Sequence, residues 1–128
     1  MNIDPKLLLA IGAGGALGAI GRYLAVRASV LMFGAGFPIG TLIVNVLGSL
    51  AMGGAVQWFA ARGDEPVLRG FVVMGVLGAF TTFSTFSFDA VMVWRDRAPS
   101  MAALYVVAST ALSIGAFLVG YFLMRRAG

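Results

Sequence analysis

The chain is 128 residues long, 60% hydrophobic and only 11% charged, with a mean hydropathy of +0.97, which excludes a soluble globular domain and fits an integral membrane protein. It has no cysteine and no histidine, so disulfides, thiolate metal sites, thiol nucleophiles and the usual general base near neutral pH are all missing. No catalytic residue is expected, and the chain does not read as an enzyme. The net charge of +4 does not point to nucleic acid, because Lys and Arg sit at the ends of apolar runs rather than along a stripe.

Four apolar runs, 6–31, 38–61, 67–94 and 100–124, each meet the requirement of about 20 residues to cross the hydrocarbon. They predict an all-α membrane protein: one domain, 1–128, of four transmembrane helices in the cell (plasma or inner) membrane, with the lipid bilayer around it. Asp4 and Pro5 open the first span, Asp as N-cap and Pro at the first helical position, where its missing N–H is harmless. Lys6 and the apolar run after it imitate a signal peptide, but the run continues past Gly21 without cleavage punctuation, so the span is expected to be retained.

Gly12, Gly14, Gly15, Gly18 and Gly21 do not follow the G-x-G-x-x-G spacing and follow no strand, so a dinucleotide site is not expected. Gly14 and Gly18, with Ala25 further along, fit instead the small-residue seam that lets two helix backbones approach in lipid. Arg22 lies toward the far end of this span. It either snorkels to the interface or places an anion-attracting charge in a vestibule.

Residues Gly34 to Pro38 form a turn cluster before the second span. In that span Thr41, Asn45, Gly48 and Met52 share one helix face. The Asn45 amide either hydrogen-bonds a neighbouring helix or presents its N–H donors to an anion. Arg62-Gly63-Asp64-Glu65-Pro66 is the most polar loop, with Pro66 separating two helices.

The third span carries the stretch that organises the rest, Gly75 to Ser87, where glycines, hydroxyls and phenylalanines interleave with no charge before Asp89. The glycines, the β-branched threonines and the serines weaken a regular helix, so a break is predicted. Lipid forbids irregular backbone unless protein or trapped water satisfies it, so the stretch faces a partner or a pore. A break also offers carbonyls to a dehydrated cation. Phe83 and Phe86 either pack against neighbouring helices, which their spacing favours, or turn positive ring edges to an anion.

Beyond Asp89, the Trp94-Arg95-Asp96-Arg97 run reads as an interfacial belt. Ser100 is the expected N-cap of the last span, in which Tyr105, Ser109 and Ser113 recur every fourth residue as one polar face. If the spans alternate, Lys6, Arg62, Arg69, Arg125 and Arg126 fall on one side, against Arg27, Arg95, Arg97 and, by snorkelling, Arg22. So small a bias does not fix orientation. Insertion in both directions, and an antiparallel homodimer, follow as expectations.

Gly40-Thr41-Leu42-Ile43-Val44-Asn45 together with Gly75-Val76-Leu77-Gly78-Ala79-Phe80-Thr81-Thr82-Phe83-Ser84-Thr85-Phe86-Ser87 closely resembles the Fluc (CrcB-type) fluoride channels of microbial membranes. The resemblance covers essentially the whole chain. It implies a dual-topology, antiparallel homodimer that relieves fluoride toxicity by passive efflux through two pores, with one structural, untransported sodium ion at the interface. The implied sodium ligands are backbone carbonyls of Gly78 and Thr81. Fluoride-lining roles would pass to Asn45, Phe83 and Phe86, supported by Thr41, Ser84, Thr85, Tyr105, Ser109 and Ser113, with Arg22 as the vestibule charge. Asp89 stands where relatives are expected to carry Glu, and Ala79 where some carry a second Gly.

Moving a carboxylate-sized ion out of water costs on the order of 20 kcal/mol in the idealised limit, and a smaller anion costs more, so many donors must replace the lost water. The rival reading is a small proton-coupled multidrug exporter of dual topology. Such a machine needs a titratable carboxylate deep in the membrane, and Asp89 is the only acid inside an apolar run.

Overall fold

The computed structural model describes residues 3–128, all of them in helices or short connections. Four helical spans, Pro5–Phe33, Ile39–Arg62, Pro66–Asp96 and Pro99–Ala127, are long and apolar enough to cross a membrane, and their ends lie within a few residues of the expected bounds. The first, second and last are continuous helices α1 (Pro5–Phe33), α2 (Ile39–Arg62) and α6 (Pro99–Ala127). The third is assembled from pieces: α3 (Pro66–Arg69), a π-helical segment Gly70–Leu77, α4 (Gly78–Phe80) and α5 (Phe83–Asp96). No strand occurs among the described residues.

Local chemistry sets the helix ends. The Asp4 carboxylate accepts the Lys6 N–H at 2.9 Å, with Pro5 opening α1, which is the cap the sequence predicts. Glu65 does the same for the third span, accepting the Leu68 N–H. At Gly34 the chain turns away from α1 with φ of 82°, a left-handed value that disfavours a side chain. Ser100 does not cap α6. Pro99 takes the first helical position and the restricted residue before it, Ala98, is extended and becomes the N-cap without a side-chain bond.

The spans pack as two parallel pairs. α1 lies against the π-helical segment and α4, and α2 lies along α6. Both seams run on glycine. A Cβ added to Gly75 would fall 2.9 Å from Gly14 Cα, and one added to Gly18 would strike the Val76 carbonyl. Gly53 and Gly120 leave the same absence of space between α2 and α6, against Phe117 and Leu50. Without a hydrophobic drive inside lipid, this close backbone contact supplies the packing. The predicted Gly14/Gly18 seam is present, and its partner is the π-helical backbone, a wide-turned form that tends to mark functional sites.

Leu7 lies against Gly70 and Gly128 against Ala61, so the starts of α1 and α3 share one end of the bundle with the ends of α2 and α6. Lys6, Arg62, Arg69, Arg125 and Arg126 therefore gather at that end, and Arg27, Arg95 and Arg97 at the other, as the alternation predicts.

Candidate functional site

The third span breaks at Thr81 and Thr82, which adopt extended conformations between α4 and α5. Asn45, on the facing side of α2, locks the break: its amide donates to the Thr82 carbonyl at 3.0 Å and accepts the Thr82 N–H at 2.7 Å. The neighbouring-helix reading of Asn45 thus holds, and one of its two amide hydrogens stays free for another acceptor. The Thr82 hydroxyl caps α5 by accepting the Thr85 N–H at 3.2 Å.

These bonds divert donors from two carbonyls. In a continuous helix the Thr82 N–H would serve Gly78 O and the Thr85 N–H would serve Thr81 O. Here the first goes to Asn45 and the second to the Thr82 hydroxyl. Among the described residues no hydrogen bond reaches Thr81 O. Gly78 is exposed, so this irregular backbone lies on a surface of the chain that lipid could not satisfy.

A cavity of about 280 Å³ opens beside the break, lined by Asn45, Ser49, Thr81, Thr82, Phe83, Phe86, Ser109, Thr110, Ser113 and Ile114. No charged side chain touches it. Ser109 is 3% exposed, and the hydroxyls of Ser109 and Ser113 are buried with no hydrogen-bond partner among the described residues. An unpaired buried hydroxyl is costly, so these two are open to an acceptor that the chain itself does not supply. The Phe83 and Phe86 rings wall the cavity with centroids 5.4 Å apart and planes tilted by 46°. No helix of this chain covers Phe83, which is 79% exposed, whereas Phe86 is buried and lies 5.5 Å from the Tyr105 ring.

A second cavity runs between α1, the turn before α2 and α5, from Arg97 down to Thr41, Thr85 and Asp89. The Asp89 carboxylate accepts the Thr41 hydroxyl at 2.6 Å and the Tyr105 hydroxyl at the 3.5 Å limit. Tyr105 lines neither space, but its ring lies on Phe86 of the first wall and its hydroxyl on Asp89 of the second. It is 1% exposed.

The residues the sequence singles out fall into three groups. Asn45, Phe83, Phe86, Ser109 and Ser113 line the first cavity; Thr41 and Thr85 line the second, and Tyr105 lines neither but contacts Phe86 of the first and Asp89 of the second. Ser84 lines neither: it is exposed, and its hydroxyl meets only that of Thr82 at 3.3 Å. Arg22 also lines neither cavity. It sits half-buried, about 16 Å along α1 from the helix's far end at 1.5 Å per residue, with no ion pair among the described residues.

Sequence reasoning missed Thr82, whose backbone and hydroxyl both organise the break. Its position before the helical Phe83 to Ser87 run is the N-cap signal that would have found it. Ser49 and Thr110 were missed too. Ser49 lies four residues beyond Asn45, on the same face.

The model of the CrcB-like protein family, described as camphor resistance (CrcB), matches residues 9–121. A protein of Rhodospirillum centenum named fluoride-specific ion channel FluC is 45% identical over 127 residues, covering 95% of this chain and 98% of that protein. Proteins of the same name from Caulobacter sp. (strain K31) and Agrobacterium fabrum are 42% and 43% identical, covering 94% and 91% of this chain and 95% and 94% of their own.

Proposed function

Because the chain belongs to the CrcB-like family, we propose that this multi-pass membrane protein is a passive, fluoride-selective channel that exports fluoride and relieves its toxicity. The observation that carries the reading is the first cavity. Its walls offer the unpartnered Ser109 and Ser113 hydroxyls, the spare Asn45 amide hydrogen and two phenylalanine rings, with no cation to trap an anion. Neutral donors and positive ring edges replace the water of a small anion while binding it weakly enough for it to leave.

In the finer reading, fluoride passes among Asn45, Phe83, Phe86, Ser109 and Ser113 with help from Thr41, Ser84, Thr85 and Tyr105, and Arg22 draws it into a vestibule. Two antiparallel copies supply two pores. Supporting that pairing, exposed Phe83, Ser84 and Gly78 all sit on the surface of a membrane span, where a second copy would bury them. The donor set at the break also suits a structural sodium ion, held by the carbonyls of Gly78 and Thr81, whose helical donors are both diverted. Bound there, such an ion would offset carbonyl dipoles that lipid leaves unsatisfied.

The test is ion efflux from proteoliposomes. Fluoride is expected to leave faster than from protein-free vesicles, chloride is not, and replacing sodium with a large organic cation on both faces is expected to slow the flux. Equal chloride efflux, or fluoride efflux no faster than from empty vesicles, overturns the channel. Flux indifferent to sodium overturns only the ion's structural role.

A further inference from the structure

We propose that the outer face of α6, at the end of the bundle where Arg62, Arg125 and Arg126 lie, binds an anionic diacyl phospholipid. Leu118, Val119, Phe122 and Leu123 line a shallow apolar groove with Arg126 at its rim. Their spacing puts them on one helix face, and the neighbouring Phe117 and Gly120, which meet α2, turn that face away from the bundle. About half of each apolar side chain is exposed, from 48% at Leu118 to 60% at Leu123.

Charge at the rim decides which lipid fits. Of the cations at this end, Arg69 pairs with Asp64 at 2.9 Å, while Asp4 and Glu65 are occupied capping helices. Arg62, Arg125 and Arg126 have no carboxylate partner among the described residues. The contact between Ala61 and Gly128 brings the ends of α2 and α6 together, so Arg62 joins the other two. It lies 5.1 Å over the Trp58 ring, an aromatic of the kind found at headgroup level. A cation in the last turn of α6 complements the helix dipole, but the dipole does not explain an apolar trough that leads to that cation. A phospholipid completes both parts: an acyl chain fills the trough, and the acidic headgroup accepts charge-assisted hydrogen bonds from the guanidinium forks. A zwitterionic lipid offers the same tail without net charge.

Native mass spectrometry of the full chain, released from micelles holding equal phosphatidylglycerol and phosphatidylcholine of matched tails, tests this. The wild type is expected to retain phosphatidylglycerol preferentially. Removing surface cations weakens anionic-lipid binding about fivefold per charge, so Arg125→Gln with Arg126→Gln is expected to cut that preference by about twenty-five-fold. Arg95→Gln, at the opposite end, leaves it unchanged. Val119→Trp, which fills the trough, lowers retention of both lipids, and glycerol phosphate, the headgroup without tails, does not displace the lipid. Equal retention of the two lipids, a preference that survives the double substitution, or displacement by glycerol phosphate overturns the proposal. So does Val119→Trp splitting dimers into monomers, which would mark the trough as a contact between copies. None of these readouts is ion flux, so the lipid site and the channel stand or fall separately.

Discussion

Replacing Asn45 with alanine removes both bonds that hold the break, those to Thr82 O at 3.0 Å and from Thr82 N at 2.7 Å. Two backbone groups of a residue only 7% exposed are then left without partners. An unsatisfied buried polar group costs about 1–3 kcal/mol, so the pair sets an upper bound near 6 kcal/mol. Interhelical hydrogen bonds in a bilayer average only about 0.6 kcal/mol each, which sets a lower bound near 1 kcal/mol. The adjoining cavity of about 280 Å³ has room for water, which rehydrates part of what is freed. The expected loss therefore lies in the lower half of that range, about 1–3 kcal/mol. Reversible unfolding in mixed micelles measures it, and fluoride efflux from the same preparation is expected to fall with it. Thr82→Val removes the cap on α5, worth about 1 kcal/mol, together with the 3.3 Å contact to the Ser84 hydroxyl. Because both substitutions act on one break, their double variant is expected to depart from additivity by more than about 0.5 kcal/mol. A stability change for Asn45→Ala below about 0.5 kcal/mol, with flux intact, would refute the role assigned to this amide.

Three further outcomes are expected. Phe83→Ile and Phe86→Ile slow fluoride efflux while the protein stays folded on size exclusion, with Phe86 showing the larger stability loss because it alone is buried; unchanged flux in both removes the ring-edge role. Gly120→Ala drives a methyl group into the Leu50 carbonyl and costs about 1–3 kcal/mol by overpacking, read from the same unfolding titration; a neutral result would mean that the α2 and α6 backbones are not in contact. Asp89→Asn keeps an acceptor for the Thr41 and Tyr105 hydroxyls, so the fold survives and no proton movement accompanies flux before or after. Substrate-dependent proton uptake that this substitution abolishes would favour the exporter.

Hydropathy made the spans legible, and helix chemistry placed the start of α1 at Asp4 and Pro5. The break was legible as well, because Thr81, Thr82 and the serines after them compete with their own backbone for hydrogen bonds. Its fastening was not. Asn45 reaches Thr82 across 37 residues of sequence, and only the packing of α2 beside the third span reveals the pair. The same holds for Asp89, whose partners come from two other helices, and for the outward turn of Ser84, which depends on how α5 rolls after the break. The π-helical segment has no periodic signature of its own. Gly70 and Gly75, both buried, mark where its backbone is pressed against α1, but glycine alone does not announce a wider turn. Tyr105, Ser109 and Ser113 were visible as a stripe, whereas the absence of any partner for the two serine hydroxyls required the surrounding helices.

The parallel pairing of the spans bears on how the chain is made. α1 finds its tightest neighbour in the third span and α2 finds its own in α6, so each pair skips the span between. During synthesis α1 must wait for Gly75, and α2 must wait for Phe117 and Gly120, before either glycine seam can close. The α1 seam can therefore close once the third span is in the bilayer, whereas the α2 seam closes only after the last span follows. A nascent chain stalled after Ala98 would carry α2 with its glycine seam open to lipid.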